Sequence, residues 1–510
     1  MRKGRLLIWV IFILICVAES SPAGLTIEHK GTPNATLLYN GKPMLKVGPL
    51  PEVAVFAVGL GSTSFDVEQW LDWMTRNDMG YGRVYPESSY DPWQALDSDK
   101  RLFPFDVIRW EKGHPVVDLT RFNRAYWDNF AEVLRQCARR GIVLHIQLYQ
   151  RVFFQLNSKT DSWKQNYFHP DNNVNGYPVV RLPNGRKTNN GYWMWNAMVT
   201  HPDWRKVHKA WVEHILDAIG TNGNALIDLM NEANFKNNFM TKEWIEYTLN
   251  IIEQWEERTG NDILVGMDFD HWYKSKDPGI EYVLAHPRME LIICEGSEGH
   301  VNRDLTAGSR KPISEDLAIL YRQRYRKPIV SANSPSYWPD ERLEDGTRPE
   351  LSNNRVRQYQ WESLMLKVQG VGVYAKTYPM DFSAPALKRY ARETRRLMDF
   401  FANLNDYAAL EISPHVIADA PVKYRRALRS PKEVVIYLHT DGFVKTVEAG
   451  KQLKLRNLPM KSGPVSIGLV HPHTGKSSGS RAVIRNGRLS IELPEFYEDV
   501  AIHIVFVKAD

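Results

Sequence analysis

Apolar positions change period repeatedly between about residue 50 and residue 404. Short runs, rich in β-branched and aromatic residues, occupy 53–59, 81–85, 142–149, 225–230, 263–267, 289–294, 328–332 and 370–374. Runs of that length and composition predict buried strands. Between most of them lie stretches with apolar residues three and four apart, the spacing of one helix face. Helices are predicted at 65–79, 241–258, 314–325, 356–368 and 384–404. Two more carry Phe122, Tyr126, Phe130, Val133 and Cys137, ended by Gly141, and Trp204, Val207, Trp211, Ile215 and Ile219, ended by Gly220. A short β lead-in is expected at 25–46, with a turn at Asn40-Gly41.

Eight strand–helix units in succession predict an α/β fold, a closed (β/α)8 TIM barrel, with an open doubly wound sheet as its rival. That rival often carries a Gly-rich phosphate turn after its first strand, and Gly59-Leu60-Gly61 is only a fragment of one. From about residue 408 the texture changes to alternating runs at 433–439, 465–470 and 500–507, separated by Gly, Pro and Ser turns. These predict a small all-β sandwich. The expected division is a leader at 1–24, the barrel with its lead-in at 25–406, and the sandwich at 407–510.

The leader reading rests on Arg2, Lys3 and Arg5, followed by an apolar run at 6–18 that is too short to span a bilayer. It implies a secreted or periplasmic protein. A lipoprotein would use Cys16, but Ile15 stands where a small residue is wanted, so that reading is the weaker one. No later segment is apolar enough to predict a membrane span. Net charge is +6, with acids and bases interspersed, so no nucleic-acid partner is expected. Beyond the leader only Cys137 and Cys294 remain, without metal-ligand spacing. Buried free thiols are expected, and neither a metal nor a cofactor. The 16 tryptophans and 23 tyrosines add something, because flat apolar rings stack on sugars as well as filling cores.

In such barrels chemistry gathers where the strands end. The fourth run is followed by Asn231-Glu232. A glutamate there is placed to protonate a glycosidic oxygen while the asparagine bonds a sugar hydroxyl; the plainer alternative is a loop residue. These residues resemble the clan A glycoside hydrolases, whose fourth strand ends in the same pair. The resemblance implies that Glu232 is the general acid/base and Asn231 a substrate ligand. It also implies that Arg83, in Gly82-Arg83-Val84-Tyr85, orients a nucleophile, with a structural ion pair as the alternative. Most of the chain more loosely resembles bacterial cellulase-like proteins of that clan, which carry a C-terminal sandwich once described as collagen-binding. Asn40-Gly41-Lys42-Pro43 matches their opening hairpin, and His471-Pro472-His473-Thr474-Gly475-Lys476 is close to their Asp-Pro-Arg-Thr-Gly turn. Collagen binding is not implied. His471 and His473 have no further ligands nearby and read as solvent-facing turn residues.

The seventh strand departs from the family. Clan A enzymes commonly place a nucleophilic glutamate five residues after a Lys-Pro pair. Here Lys327-Pro328-Ile329-Val330-Ser331-Ala332 leads to Asn333. An amide forms no stable glycosyl-enzyme, and retaining chemistry wants two carboxyl groups about 5–5.5 Å apart. Three readings stay open. A carboxylate has moved, with Glu295 best placed and Glu298, Asp268, Asp270 and Glu87 behind it. Alternatively Asp340 or Glu341 swings in, at the wider spacing of an inverting enzyme. Otherwise hydrolysis is lost and sugar binding kept.

Aromatics crowd the same predicted face. Tyr85, Tyr90 and Trp93 follow strand two, and Trp163, Tyr167, Tyr192, Trp193 and Trp195 lie in the long third loop. His271-Trp272-Tyr273 follows strand five, and Tyr337-Trp338 strand seven. The expected site is therefore catalytic Glu232 and Glu295, with Arg83, Asn231, Tyr149, His271, Trp272, Asn333 and Trp338 binding an oligo- or polysaccharide. A non-catalytic glycan-binding or adhesion protein using the same cleft is the rival.

Overall fold

The computed structural model describes residues 24–50, 56, 66–86, 101–156, 162–182, 184–185, 188–233, 235, 240–269, 278–295, 313–333, 336–337, 349–375, 383, 385–440 and 446–507. Side chains are outside the description at 49–50, 278, 295, 333, 336–337, 349–353, 373–375 and 386. The expected leader, most of the predicted run at 53–59, Glu87, Tyr90, Trp93, Asp270, His271, Trp272, Tyr273, Glu298, Trp338, Asp340 and Glu341 lie outside the described residues.

Among the described residues, parallel pairing links eight strands in chain order. Tyr81–Val84 pairs with Val143–Gln147, that strand with Ala225–Asp228, and that with Val265–Gly266. Ile292–Glu295 pairs with Ile329–Asn333, which pairs with Val368–Gln369. Past Gly370 the eighth strand continues as Val371–Ala375 and pairs with the first, Val47–Leu50. Backbone bonds span the two remaining junctions: Gly80 N–H to the Val47 carbonyl, 3.0 Å, and Leu291 N–H to the Val265 carbonyl, 3.1 Å. The order therefore returns to its start.

The described strand in the first place of the cycle is Val47–Leu50, whereas the run predicted there, 53–59, lies outside the described residues except for residue 56. Gly48 is the reason the chain fits there, since a Cβ would stand 2.0 Å from the Tyr81 carbonyl oxygen. Gly370 makes a similar approach with φ +64, where a Cβ would lie 2.6 Å from the Tyr81 ring. The lead-in pairs Leu25–Glu28 with Thr36–Tyr39, and the latter strand turns through Asn40 and Gly41, both at positive φ as expected, onto Lys42–Pro43. Its Leu37 and Tyr39, with Met44, pack on Tyr81, Val143, Leu226, Leu264 and Leu291, all at strand starts. One end of the cycle is thus filled with apolar side chains, leaving the strand C-terminal ends for polar chemistry.

Helices follow the strands and are capped by side chains that the sequence supplies. Asp66 accepts from Gln69 N–H before Val67–Arg76, Thr241 from Trp244 before Lys242–Thr259, and Ser314 from Leu317 before Glu315–Tyr325. Arg124–Arg139 buries Tyr126, Phe130, Val133 and Cys137 as predicted. Phe122 belongs instead to a hairpin, Phe105–Glu111 with His114–Phe122, that the helical period had hidden. Its turn carries Lys112 and Gly113, both at positive φ. The helix Pro278–Ala285 between strands five and six was also unforeseen, and Pro349–Met365 starts a full two turns before the predicted 356. Cys137 and Cys294 are both buried. Among the described residues, no helix is long and apolar enough to cross a membrane.

The C-terminal region is β-rich. A six-stranded antiparallel sheet and a three-stranded sheet, Ile417–Asp419, Gln452–Leu455 and Leu489–Glu492, share one core. The central strand Glu433–His439 is buried at every position. Val434, Ile436 and Leu438 face the second sheet, whereas Val435 and Tyr437 join a core with Trp361, Phe400, Val47 and Val371. That second core runs from the first and eighth parallel strands, through helices Pro349–Met365 and Pro385–Ala402, into the β-rich region. Both faces of the strand have a partner, so the alternation expected at 433–439 is replaced by burial at every position.

Beside this core lies a buried ionic cluster. Arg357, 1% exposed, donates from Nε to Asp499 (2.9 Å), from Nη1 to Glu393 (3.0 Å) and from Nη2 to Glu498 (2.7 Å). Arg389 and His473 also reach Glu393, at 2.9 and 3.0 Å. His473 does sit in a turn and keeps 33% of its side chain exposed, but it is also tied to the helix layer, so the solvent-facing reading holds only in part. Burial alone would raise the Glu393 carboxyl, but Arg357, His473 and Arg389 outweigh it and hold it at about 2. A carboxyl lowered by folding stabilises above its unfolded value of 4.5 and loses that contribution as pH falls toward about 2.

Arg357→Met strands three buried carboxylates and is expected to cost about 3–5 kcal/mol. The urea midpoint of the full chain at pH 7 checks this, and an unchanged midpoint contradicts it. In Glu393→Gln, the part of the acid-induced stability loss between pH 4.5 and about 2 that Glu393 supplies should vanish. Parallel urea titrations of both proteins across that range read it.

Candidate functional site

Alternate residues of a strand point to opposite faces, so His145 and Gln147 on strand three project together. They meet Asp228, the last residue of strand four. The Asp228 carboxylate has no solvent exposure. Its Oδ2 accepts from His145 Nε2 at 3.1 Å and Gln147 Nε2 at 3.0 Å. Its Oδ1 accepts from the backbone N–H of Met230 (3.2 Å) and of Asp268 (3.0 Å). Because the carboxylate can only accept, His145 carries its proton on Nε2, and Nδ1 is left to accept from the Tyr81 hydroxyl at 2.8 Å. Burial lowers the His145 pKa against the opposing pull of Asp228, and burial raises that of Tyr81, so both stay neutral near pH 7.

Above this layer sits Asn231. Its Oδ1 accepts from Arg83 Nη1 (3.0 Å) and Gln147 Nε2 (2.9 Å), and its Nδ2 donates to Gln150 Oε1. Two donors on one end and an acceptor on the other fix which way the amide points and leave one amide hydrogen over. Arg83 thus lies in the site, as the sequence suggested, and is 8% exposed.

Glu232 follows in left-handed backbone, φ 52, a conformation that costs a non-glycine residue about 1–2 kcal/mol. Three bonds hold it there. Asn231 N–H donates to the Tyr149 carbonyl (3.0 Å), Glu232 N–H to Asp268 Oδ2 (3.3 Å), and Ala233 N–H to the Asp268 carbonyl (2.9 Å). Backbone strain of this kind gathers at functional positions, and here it turns the carboxylate out at the strand end. The side chain is 18% exposed and pairs with Arg151. Asp268, fully buried, braces this turn rather than opening to a cleft, which removes it from the set of relocated nucleophiles.

Glu295 ends strand six in backbone register with Asn333 on strand seven, next to an irregularity in the pairing. The two residues thus occupy neighbouring strand ends.

Other expectations need correction. Tyr149 is 1% exposed and lies behind the strand, its hydroxyl donating to His208 Nδ1 at 2.7 Å. His208, which burial holds at about 3, passes the chain on from Nε2 to Thr248 at 2.9 Å. The third-loop aromatics are core as well. Trp163, Tyr167, Tyr192, Trp193 and Trp195 are all at most 8% exposed. Phe154 packs on Trp163 and Trp195, and Trp193 on Trp204. A loop of this length needs its own hydrophobic filling, and the rings supply it.

Sequence reasoning missed Arg151, Gln147, Gln150, Asp228 and His145. The signal was present, since a charge in the buried run Ala225–Asp228 and polar residues two apart on strand three both demand interior partners. Among the described residues, no cluster of His, Cys, Asp and Glu is arranged to hold a metal ion.

No protein-family model matches the sequence, and no curated protein matches it. Among solved structures, one described as a glycoside hydrolase is similar with TM-score 0.58 and 13% identity, over 96% of this chain and 98% of its own. A glycoside hydrolase family 5 protein from Bacteroides vulgatus ATCC 8482 gives TM-score 0.58 and 12% identity, over 95% of this chain and 93% of its own. At such identity the likeness is one of fold. It implies a TIM barrel, and its coverage takes in the β-rich region too.

Asp228→Asn turns an amide N–H₂ toward donors and is expected to destabilise the fold by about 3 kcal/mol. Urea denaturation reads the loss, and a wild-type midpoint would show the network to be dispensable.

Proposed function

We propose that the protein is an exported glycoside hydrolase of the clan A type, cleaving an oligo- or polysaccharide at the C-terminal rim of a closed (β/α)8 barrel. The observation that carries the reading is Glu232, held in strained backbone at the end of the fourth strand with its carboxylate partly exposed. The cyclic order of eight parallel strands and the fold likeness support the barrel. The charged and apolar start of the chain supports export.

In this reading Glu232 protonates the glycosidic oxygen, and Asn231 gives its remaining amide hydrogen to the adjacent sugar hydroxyl. Arg83 and Gln147 keep that amide from rotating. Arg151 steadies the carboxylate before substrate arrives and has to part from it for a proton to be delivered. Glu295 supplies the second carboxylate, which its place beside Asn333 supports. His271, Trp272 and Trp338 complete the sugar contacts on the strength of sequence alone.

Release of reducing ends from a polysaccharide panel tests the reading. Glu232→Gln is expected to lower turnover about 10²–10⁴-fold while leaving binding intact. Glu295→Ala should recover chain cleavage in azide, which attacks the anomeric carbon in place of the missing carboxylate and leaves a glycosyl azide, read by product chain length rather than by reducing ends. A protein that binds glycans and cleaves none is a lectin-like relative using the same cleft, and the hydrolase reading then fails.

A further inference from the structure

The strands Ser477–Ile484 and Leu489–Glu492 are joined by a two-residue turn, Asn486 at φ 53 and Gly487 at φ 69. The turn sets Arg485 directly opposite Arg488. Arg485 N–H bonds the Arg488 carbonyl at 3.1 Å, and Arg488 N–H returns the bond at 3.0 Å. Residues paired this way carry their side chains on the same face of the hairpin, where like charges repel and destabilise. Both arginines are exposed, and among the described residues neither guanidinium has a carboxylate or other acceptor partner. An opposed cation pair without compensation is a local rule broken, and such breaks mark function more often than fold.

The pair lines a groove of about 550 Å³ with Lys454 and Arg456, over a floor that includes Val483 and Leu489. No acid lines it. Lys454 has only Asp419 at 3.5 Å, an exposed and therefore weak pair, and Arg456 Nε meets the His415 carbonyl at 3.2 Å. The volume lies in the range of small-ligand sites and takes roughly two or three sugar rings. Val483, 58% exposed, offers an apolar surface for the C–H face of a ring.

We propose that this groove is a second glycan site, one that binds an acidic polysaccharide bearing one carboxylate per sugar. Arginine forks match carboxylates in paired hydrogen bonds, and three arginines with one lysine over a few rings match one negative charge per ring. Single-stranded nucleic acid fits less well, because no aromatic side chain lines the groove to stack a base. The choice of a glycan among polyanions rests on the proposed carbohydrate activity. The groove itself shares no residue with the Glu232 site.

Calorimetric titration of the full chain with polygalacturonate at 0.15 M salt is the test. Binding is expected, and Arg485→Glu/Arg488→Glu should weaken it about tenfold or more. Arg485→Gln/Arg488→Gln should weaken it too, with a thermal midpoint no lower than wild type because repulsion across the turn is relieved. Glu232→Gln should bind polygalacturonate as wild type does, so failure of hydrolysis is read separately from failure of this site. Absence of binding, or binding as tight as wild type in both double variants, overturns the proposal. So does heparin or a single-stranded oligonucleotide that displaces polygalacturonate at equal charge.

Discussion

A carboxylate with no access to water governs the mouth of the parallel strands. Asp228 closes strand four, and everything around it donates: two side chains from strand three, and the backbone of Met230 and Asp268. An unpartnered ion at that depth would be costly, so the donors have to converge. Their convergence ties strands three, four and five together below Asn231 and Glu232. The same bonds fix Gln147, and Gln147 fixes the Asn231 amide. Orientation at the site is thus inherited from a buried charge one layer down, not from the loops above.

That layering explains which parts of the molecule were legible in the sequence. Strand four and Asn231-Glu232 were readable because an apolar run ends abruptly in polar residues, a pattern that needs no knowledge of partners. Asp228 was visible within that run, but its side-chain donors sit 83 and 81 residues earlier, and a linear pattern does not say which polar residues meet. The strand at 47–50 was not read because Gly48 and Pro49 break its apolar texture, while the next run reads more smoothly. Glycine there answers to the Tyr81 carbonyl across the cycle. The hairpin at 105–122 was lost to a helical reading because Phe122 happens to fall in phase with Tyr126 and Phe130.

The aromatic residues misled for a different reason. Sequence places a ring in a loop, and a loop near a strand end suggests a cleft. Trp163, Trp193 and Trp195 instead build the interior of the loop that carries them, on Phe154, Phe168 and Trp204. A long insertion cannot stay ordered on backbone hydrogen bonds alone, because each fixed residue loses about 1–2 kcal/mol of conformational freedom. Burying large rings offsets that loss with few rotatable bonds. Arg151 starts the first short helix of this loop, so the packed rings also set the partner of Glu232.

The β-rich region follows the same logic at larger scale. Its strand Glu433–His439 has no face left for solvent, and Tyr437 stacks on Trp361 of the helix layer at 5.3 Å. A module tethered for binding alone would keep its outer face polar; this one shares a core that begins at Val47 and Val371. Where charges enter that shared surface they are compensated, as Arg357 is by three carboxylates. The contrast with Arg485 and Arg488 is then informative. On the exposed hairpin two cations face each other across a tight turn. Among the described residues nothing neutralises them, and the proposed glycan site rests on that contrast.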